Sequence, residues 1–116
     1  MRRGEVYDAD LRPTSGSEQA GIRPVVVVSR DAINATSSVL LGVPCTTYRA
    51  GRRPYPHQVV LYAPDGGLTA DSVALCGQVR ALDERRFLRL RGVLSAESLA
   101  QVGRALLIAL DLDRWI

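Results

Sequence analysis

Three polar clusters carry the side chains of this 116-residue chain that could do chemistry together. The first is GSEQAGIRP, in which Ser17, Glu18 and Gln19 lie a few residues before Arg23, and Pro24 opens onto four valines. The second joins Thr46 and Thr47 to a basic loop holding Arg49, Arg52, Arg53 and His57. The third is GQVR, with Gln78 and Arg80. A carboxylate, hydroxyls, several guanidiniums and one imidazole are the groups that hold a phosphodiester and break it. The planar fork of arginine meets two phosphate oxygens at once, and hydroxyls add further hydrogen bonds. Loops of this composition are often only solvated, so the clusters make a site only if the fold gathers them on one rim.

The elements that would position them are legible in outline. Residues 3–10 alternate enough to form a first strand, and residues 11–22, with Pro13, Gly16 and Gly21, form a long loop. PVVVVS is a short, β-branched apolar run suited to a strand buried on both faces. DAINATS fits a turn or a single helical turn, and residues 39–47 fit the next strand. A strand at 58–62 and an Asp-Gly-Gly turn follow. Residues 72–82 then read as two short strands, or as one bent at Gly77. Asp83 caps a short helical turn through Phe87. Ser95 is the N-cap of a last helix, with Glu97 in its first turn and Leu99, Val102, Leu106 and Leu110 forming one apolar stripe. The expected fold is mainly β, a small curled barrel lidded by a C-terminal helix, in a single domain over 1–116.

Composition narrows the function classes. All 15 basic residues are arginine and the net charge is +3, a mild bias toward anionic partners. Cys45 and Cys76 stand apart in apolar stretches, with no CxxC and a single histidine, so they read as core side chains. No metal and no cofactor is expected. No apolar run approaches the ~20 residues of a membrane span, and no apolar core follows the N-terminal arginines, so no membrane partner and a cytoplasmic location are expected.

RRGEVYDADLRPTSGSEQAGIRPVVVVSRD closely resembles the opening of the MazF/PemK family of toxin endoribonucleases. VPCTT, GGLTADSVALCGQVRALD and the step Gly92–Val93–Leu94 extend the resemblance over nearly the whole chain. It implies an SH3-like β-barrel, a homodimer, and metal-independent cleavage of single-stranded RNA at short motifs. It implies a MazE-like antitoxin as partner. Its catalytic arginine falls on Arg23 and its catalytic threonine on Thr46, with Thr47 as the alternative register. Glu18 matches a family carboxylate.

Such a reaction needs a base for the 2′-hydroxyl, stabilisation of the crowded phosphorane and an acid for the 5′-oxygen. Arg23 and Thr46 suit the second task. Guanidinium releases a proton reluctantly, so Glu18 is the favoured base; its other reading is an ion pair that holds Arg23. His57, at a loop edge, is more plausibly an RNA contact than a catalyst. Arg49, Arg52 and Arg53 suit backbone phosphates, while Gln78, Arg80, Ser17 and Gln19 suit the groove and its base edges. The competing reading is a non-enzymatic gyrase-binding toxin like CcdB, suggested by the terminal DRWI. Trp115 reads there more simply as a hydrophobic anchor.

Overall fold

The computed structural model describes residues 1–115; Ile116 of the terminal DRWI lies outside the described residues. The strands are β1 (Glu5–Asp10), β2 (Ile22–Val27), β3 (Val39–Thr47), β4 (Gln58–Leu61), β5 (Ser72–Leu75), β6 (Arg80–Asp83) and β7 (Phe87–Val93). Helix α1 (Asp31–Thr36) lies between β2 and β3, and α2 (Ala96–Ala109) follows β7. All pairings are antiparallel, in the order β4-β5-β3-β2-β1-β7. The nine-residue β3 organises the sheet. It pairs β6 over its first half and β5 over its second, so β5 and β6 act as one strand broken by the short turn Cys76–Gln78.

The mainly β fold with a curled sheet and a C-terminal helix is as expected, but the curl does not close: among the described residues no ladder joins β4 to β7. Other elements bridge the gap. Helix α2 packs on β4 and on the Cys76–Gln78 turn, while the turn Asp65–Gly67 packs on β7. The curl therefore survives without a continuous ring of backbone hydrogen bonds. A correction concerns Phe87, expected to end the helical turn, and the residues after it, for which no element is expected. The turn stops at Arg86, capped by the Asp83 side chain accepting from Arg85 N, and Phe87 begins a strand.

The core fills the inside of the curl. Val25, Val26 and Val27 are fully buried, as the uninterrupted apolar run required, and each contributes about 1.5–3 kcal/mol relative to an exposed side chain. Val6, Val43, Cys45, Leu61 and Ala74 join them from the other strands, and Val102 and Ala105 from α2. Ser95 caps α2, accepting from Ser98 N. Leu99 and Leu106 pack on the core, but Leu110 is 57% exposed because the helix ends at Ala109. Trp115, expected as an anchor, is 76% exposed.

Candidate active site

The register of β2 against β3 explains why Arg23 and Thr46 meet. The ladder pairs Val27 with Gly42, Val26 with Val43 and Val25 with Pro44. Continued toward the strand ends, the same register sets Arg23 opposite Thr46; Pro24 interrupts the hydrogen bonding between them because it has no N–H. Both side chains line one cavity of about 130 Å³, with Thr47, Thr69, Ser72 and Arg91. Arg23 is exposed and its Nε donates to Ala20 O at 3.0 Å, so its terminal nitrogens have no carboxylate partner among the described residues. Thr46 is half-buried and held from the other side by pairing with Val73 of β5.

The long β1–β2 loop is tied to the β5–β6 bend. Gln19 N donates to Gln78 Oε1 at 3.0 Å, and Gln78 Nε2 donates to Ser17 O at 3.5 Å. Gln78 thus clamps the loop backbone here and does not present its amide as a free edge. Arg80 reaches Leu11 O at 3.5 Å on the same side. Glu18 makes no ion pair with Arg23: its Oε1 accepts from Ser15 N at 2.7 Å, and it lines neither cavity described here.

Thr46 and Thr47 also line a second cavity, of about 460 Å³, so the two spaces adjoin at these threonines. The second cavity is bounded by Tyr48, Arg49, Arg52, Arg53 and Tyr55, over a floor of Val73 and Leu75. Guanidiniums beside aromatic rings suit a nucleic-acid strand, the former meeting phosphates and the latter bases. His57 stacks on Tyr55, with ring centroids 5.8 Å apart and planes 15° apart, and lines neither cavity. The structure therefore joins Arg23 to Thr46 and Thr47, groups the three loop arginines beside them, and leaves His57 and Glu18 outside the smaller cavity.

Several lining residues were not legible. Thr69 and Ser72 come from the turn after Asp65–Gly67 and the start of β5, and Arg91 from β7, the strand the sequence reading missed. Cys45 also borders the smaller cavity, but burial, and secondarily the nearby Cys76 thiol, pushes its own thiol up to about 12. It stays protonated at neutral pH and is no nucleophile. Among the described residues no three His, Cys, Asp or Glu side chains group closely enough to hold a metal ion. No helix there is long and apolar enough to cross a membrane.

Comparison with known proteins agrees with this picture. Residues 2–110 match the family described as PemK-like, MazF-like toxin of type II toxin–antitoxin system. Endoribonuclease MazF9 of Mycobacterium tuberculosis is 44% identical, over 97% of this chain and 98% of its own. MazF from Deinococcus radiodurans superposes with a TM-score of 0.80 at 30% identity, covering 96% of each chain. An endoribonuclease from a mycobacterial species, solved in complex with its cognate antitoxin, gives a TM-score of 0.79 at 26% identity over 97% of this chain and 96% of that one.

Proposed function

The chain belongs to the PemK-like, MazF-like toxin family of type II toxin–antitoxin systems, and we propose that it cuts single-stranded RNA in the groove containing Arg23 and Thr46. It is an endoribonuclease toxin. The observation that carries the assignment of its centre is the convergence of Arg23 and Thr46 on one cavity. Family membership favours this activity over a gyrase-binding, non-enzymatic toxin.

The reaction we infer is attack of O2′ on the adjacent phosphorus. The O2′–P bond forms, the P–O5′ bond breaks, and the products are a 2′,3′-cyclic phosphate and a 5′-hydroxyl. Arg23 lays its unpaired terminal N–H groups against the non-bridging oxygens, where negative charge grows, and Thr46 donates its hydroxyl to the same charge. Glu18 is the proposed base, and to reach O2′ it must leave Ser15 N and swing with its loop toward the cavity. The O5′ leaving group takes its proton from solvent or from the base after proton return. Thr47, Arg49, Arg52, Arg53 and His57 hold the flanking strand. Ser17 and Gln19 face the bases from the loop that Gln78 and Arg80 support.

The working form we propose is a cytoplasmic homodimer, restrained by a MazE-like antitoxin whose flexible acidic and apolar segment lies along the basic groove. Leu88, Leu90 and Val93 on β7 are exposed apolar surface of the kind a second copy covers. Incubating the purified protein with long single-stranded RNA in excess EDTA tests the activity and its independence of metal together. Discrete fragments ending in 2′,3′-cyclic phosphate are expected. Intact RNA in EDTA, with cutting restored by a divalent cation, would overturn the metal-free chemistry.

A further inference from the structure

We propose that Arg91 is a second phosphate ligand of the cleavage groove, acting across the cavity from Arg23; this rests on the ribonuclease reading above. Arg91 lines the same 130 Å³ cavity as Arg23 and Thr46. It comes from β7, at the far end of the sheet order from β3, so its presence there needs a specific cause.

The cause is a β-bulge. Along β1 and β7, Val6 pairs with Gly92 but the next residue, Tyr7, pairs with Leu90. Arg91 is the extra residue, without a partner in the ladder. Bulges turn one side chain away from strict alternation and recur beside active sites for that reason. The bulge is held from outside by the turn Asp65–Gly67. A Cβ on Gly67 would overlap the Arg91 carbonyl oxygen, and one on Gly92 would sit 2.8 Å from Gly66 C and from Gly67 N. The two backbones lie so close that only glycine fits at the contact, which fixes where Arg91 begins.

Its guanidinium is pre-set rather than mobile. Nη1 donates to Asp8 Oδ1 at 2.9 Å and Nη2 to Thr69 Oγ1 at 3.2 Å, and the side chain is only 13% exposed. Each terminal nitrogen of arginine carries two N–H donors, so these two bonds leave one N–H on Nη1 and one on Nη2 for a phosphate. Nε is buried with no hydrogen-bond partner among the described residues. The charge balance also favours an anion. Asp8 is the carboxylate that Arg91 pairs with, and Asp8 is shared with Arg89 at 3.3 Å, while Arg23 has no carboxylate partner among the described residues. The cavity lining itself carries two guanidiniums, Arg23 and Arg91, and no carboxylate, which leaves the wall positive. A phosphodiester gaining charge as it passes to the phosphorane matches that excess, and a purely structural ion pair would not.

The test compares wild type with Arg91→Gln, Arg91→Lys and Arg89→Ala in RNA cleavage. Arg91→Gln keeps hydrogen-bonding capacity toward Thr69 but loses the charge, and kcat/KM is expected to fall about 100-fold. Arg91→Lys should recover part of that loss, and Arg89→Ala, at the exposed partner of the same carboxylate, should stay within about threefold. Mixed-sequence single-stranded DNA, which has no 2′-hydroxyl to attack, gives a binding readout that stability does not move. The slope of log affinity against log salt should be shallower by about 0.7 in Arg91→Gln, the loss of one phosphate contact. Folded Arg91→Gln cutting within about threefold of wild type, with an unchanged salt slope, overturns the proposal. If that variant fails to fold, wild type labelled with 15N at arginine is titrated with inorganic phosphate. The Arg91 Nε–H signal should shift together with that of Arg23, and a stationary Arg91 signal overturns the proposal. Wild type that cuts no RNA would sink the ribonuclease reading alone, and the phosphate titration would still decide the role of Arg91.

Discussion

Gly67→Ala is expected to destabilise the protein by about 2–5 kcal/mol, much of it from one collision with the backbone of β7. Gly67 has φ +71°, and an added Cβ would overlap the Arg91 carbonyl oxygen, lying 2.5 Å from its carbonyl carbon and 3.1 Å from Gly92 N. Those atoms belong to a strand held to β1 by its ladder, so they cannot give way as the end of a side chain would. The left-handed conformation alone costs an alanine about 1–2 kcal/mol. Forcing two packed backbone segments apart adds about 1–3 kcal/mol. Gly16 separates the two parts: its φ is +57°, and nothing lies within 4 Å of an added Cβ. Gly16→Ala should therefore lose only the conformational part. Urea unfolding of both variants beside wild type measures the difference, provided the m-values agree. The Gly67 variant should be the less stable by about 1–3 kcal/mol. Equal losses in the two variants would refute the claim that the turn and the bulge are in obligatory contact.

Three further outcomes are expected. Burial pushes the Asp65 carboxyl up, but hydrogen bonds from Ser98 Oγ and from Ser95 N and Oγ outweigh it and leave the group below its ordinary value. A depressed carboxylate stabilises above its unfolded pKa and loses that stabilisation as pH falls through its folded one. Asp65→Asn should thus cost about 1–2 kcal/mol at pH 7, and the gap to wild type should close below about pH 4; a gap constant down to pH 2 would contradict this. Cys45 and Cys76 are both buried with thiols pushed up to about 12, so iodoacetamide should leave the native protein unmodified at pH 8 and label both in denaturant. Rapid native labelling of either would show that the core opens there. Gln78→Ala frees the backbone at Ser17 and Gln19, so amide exchange in residues 15–20 should accelerate and RNA cleavage should weaken. Gln78→Glu keeps the acceptor for Gln19 N and should restore most of the protection, and failure to do so would remove Gln78 from the clamp.

What was legible in the sequence is what short-range patterns control. The four valines announced a buried strand, the fully polar Ser95 before an apolar stripe announced a capped helix, and GSEQ with Arg23–Pro24 carried the family resemblance. Arg23 and Thr46 were named by the family resemblance, and the strand-end position of each lets the β2–β3 register bring them to one cavity. Strand β7 was missed because FLRLRGV exposes its leucines and is preceded by a helical-looking DERR, so neither period stands out. The open sheet could not be foreseen, since closure depends on whether β4 and β7 reach one another or are bridged by α2 and a turn. Arg91 was invisible for a related reason. A one-residue bulge decides which face it takes, and the bulge is set by Gly66 and Gly67, some 25 residues away in sequence. Of the two readings offered for Glu18, the ion pair with Arg23 is not formed in this loop conformation, where Glu18 Oε1 accepts from Ser15 N instead.

The most direct test of the central claim, that Arg23 and Thr46 together form the reaction centre, is single-turnover cleavage of one RNA by wild type, Arg23→Ala and Thr46→Val. Arg23 is exposed and, among the described residues, its side chain bonds only to Ala20 O, so its removal should change stability by no more than about 0.5 kcal/mol, while cleavage falls by about 100-fold or more. Thr46→Val keeps the shape of the strand end and removes only the hydroxyl, and should also lose about 100-fold. Both variants should yield residual fragments at the same positions as wild type. A folded Arg23→Ala or Thr46→Val protein that cuts at the wild-type rate would contradict the account.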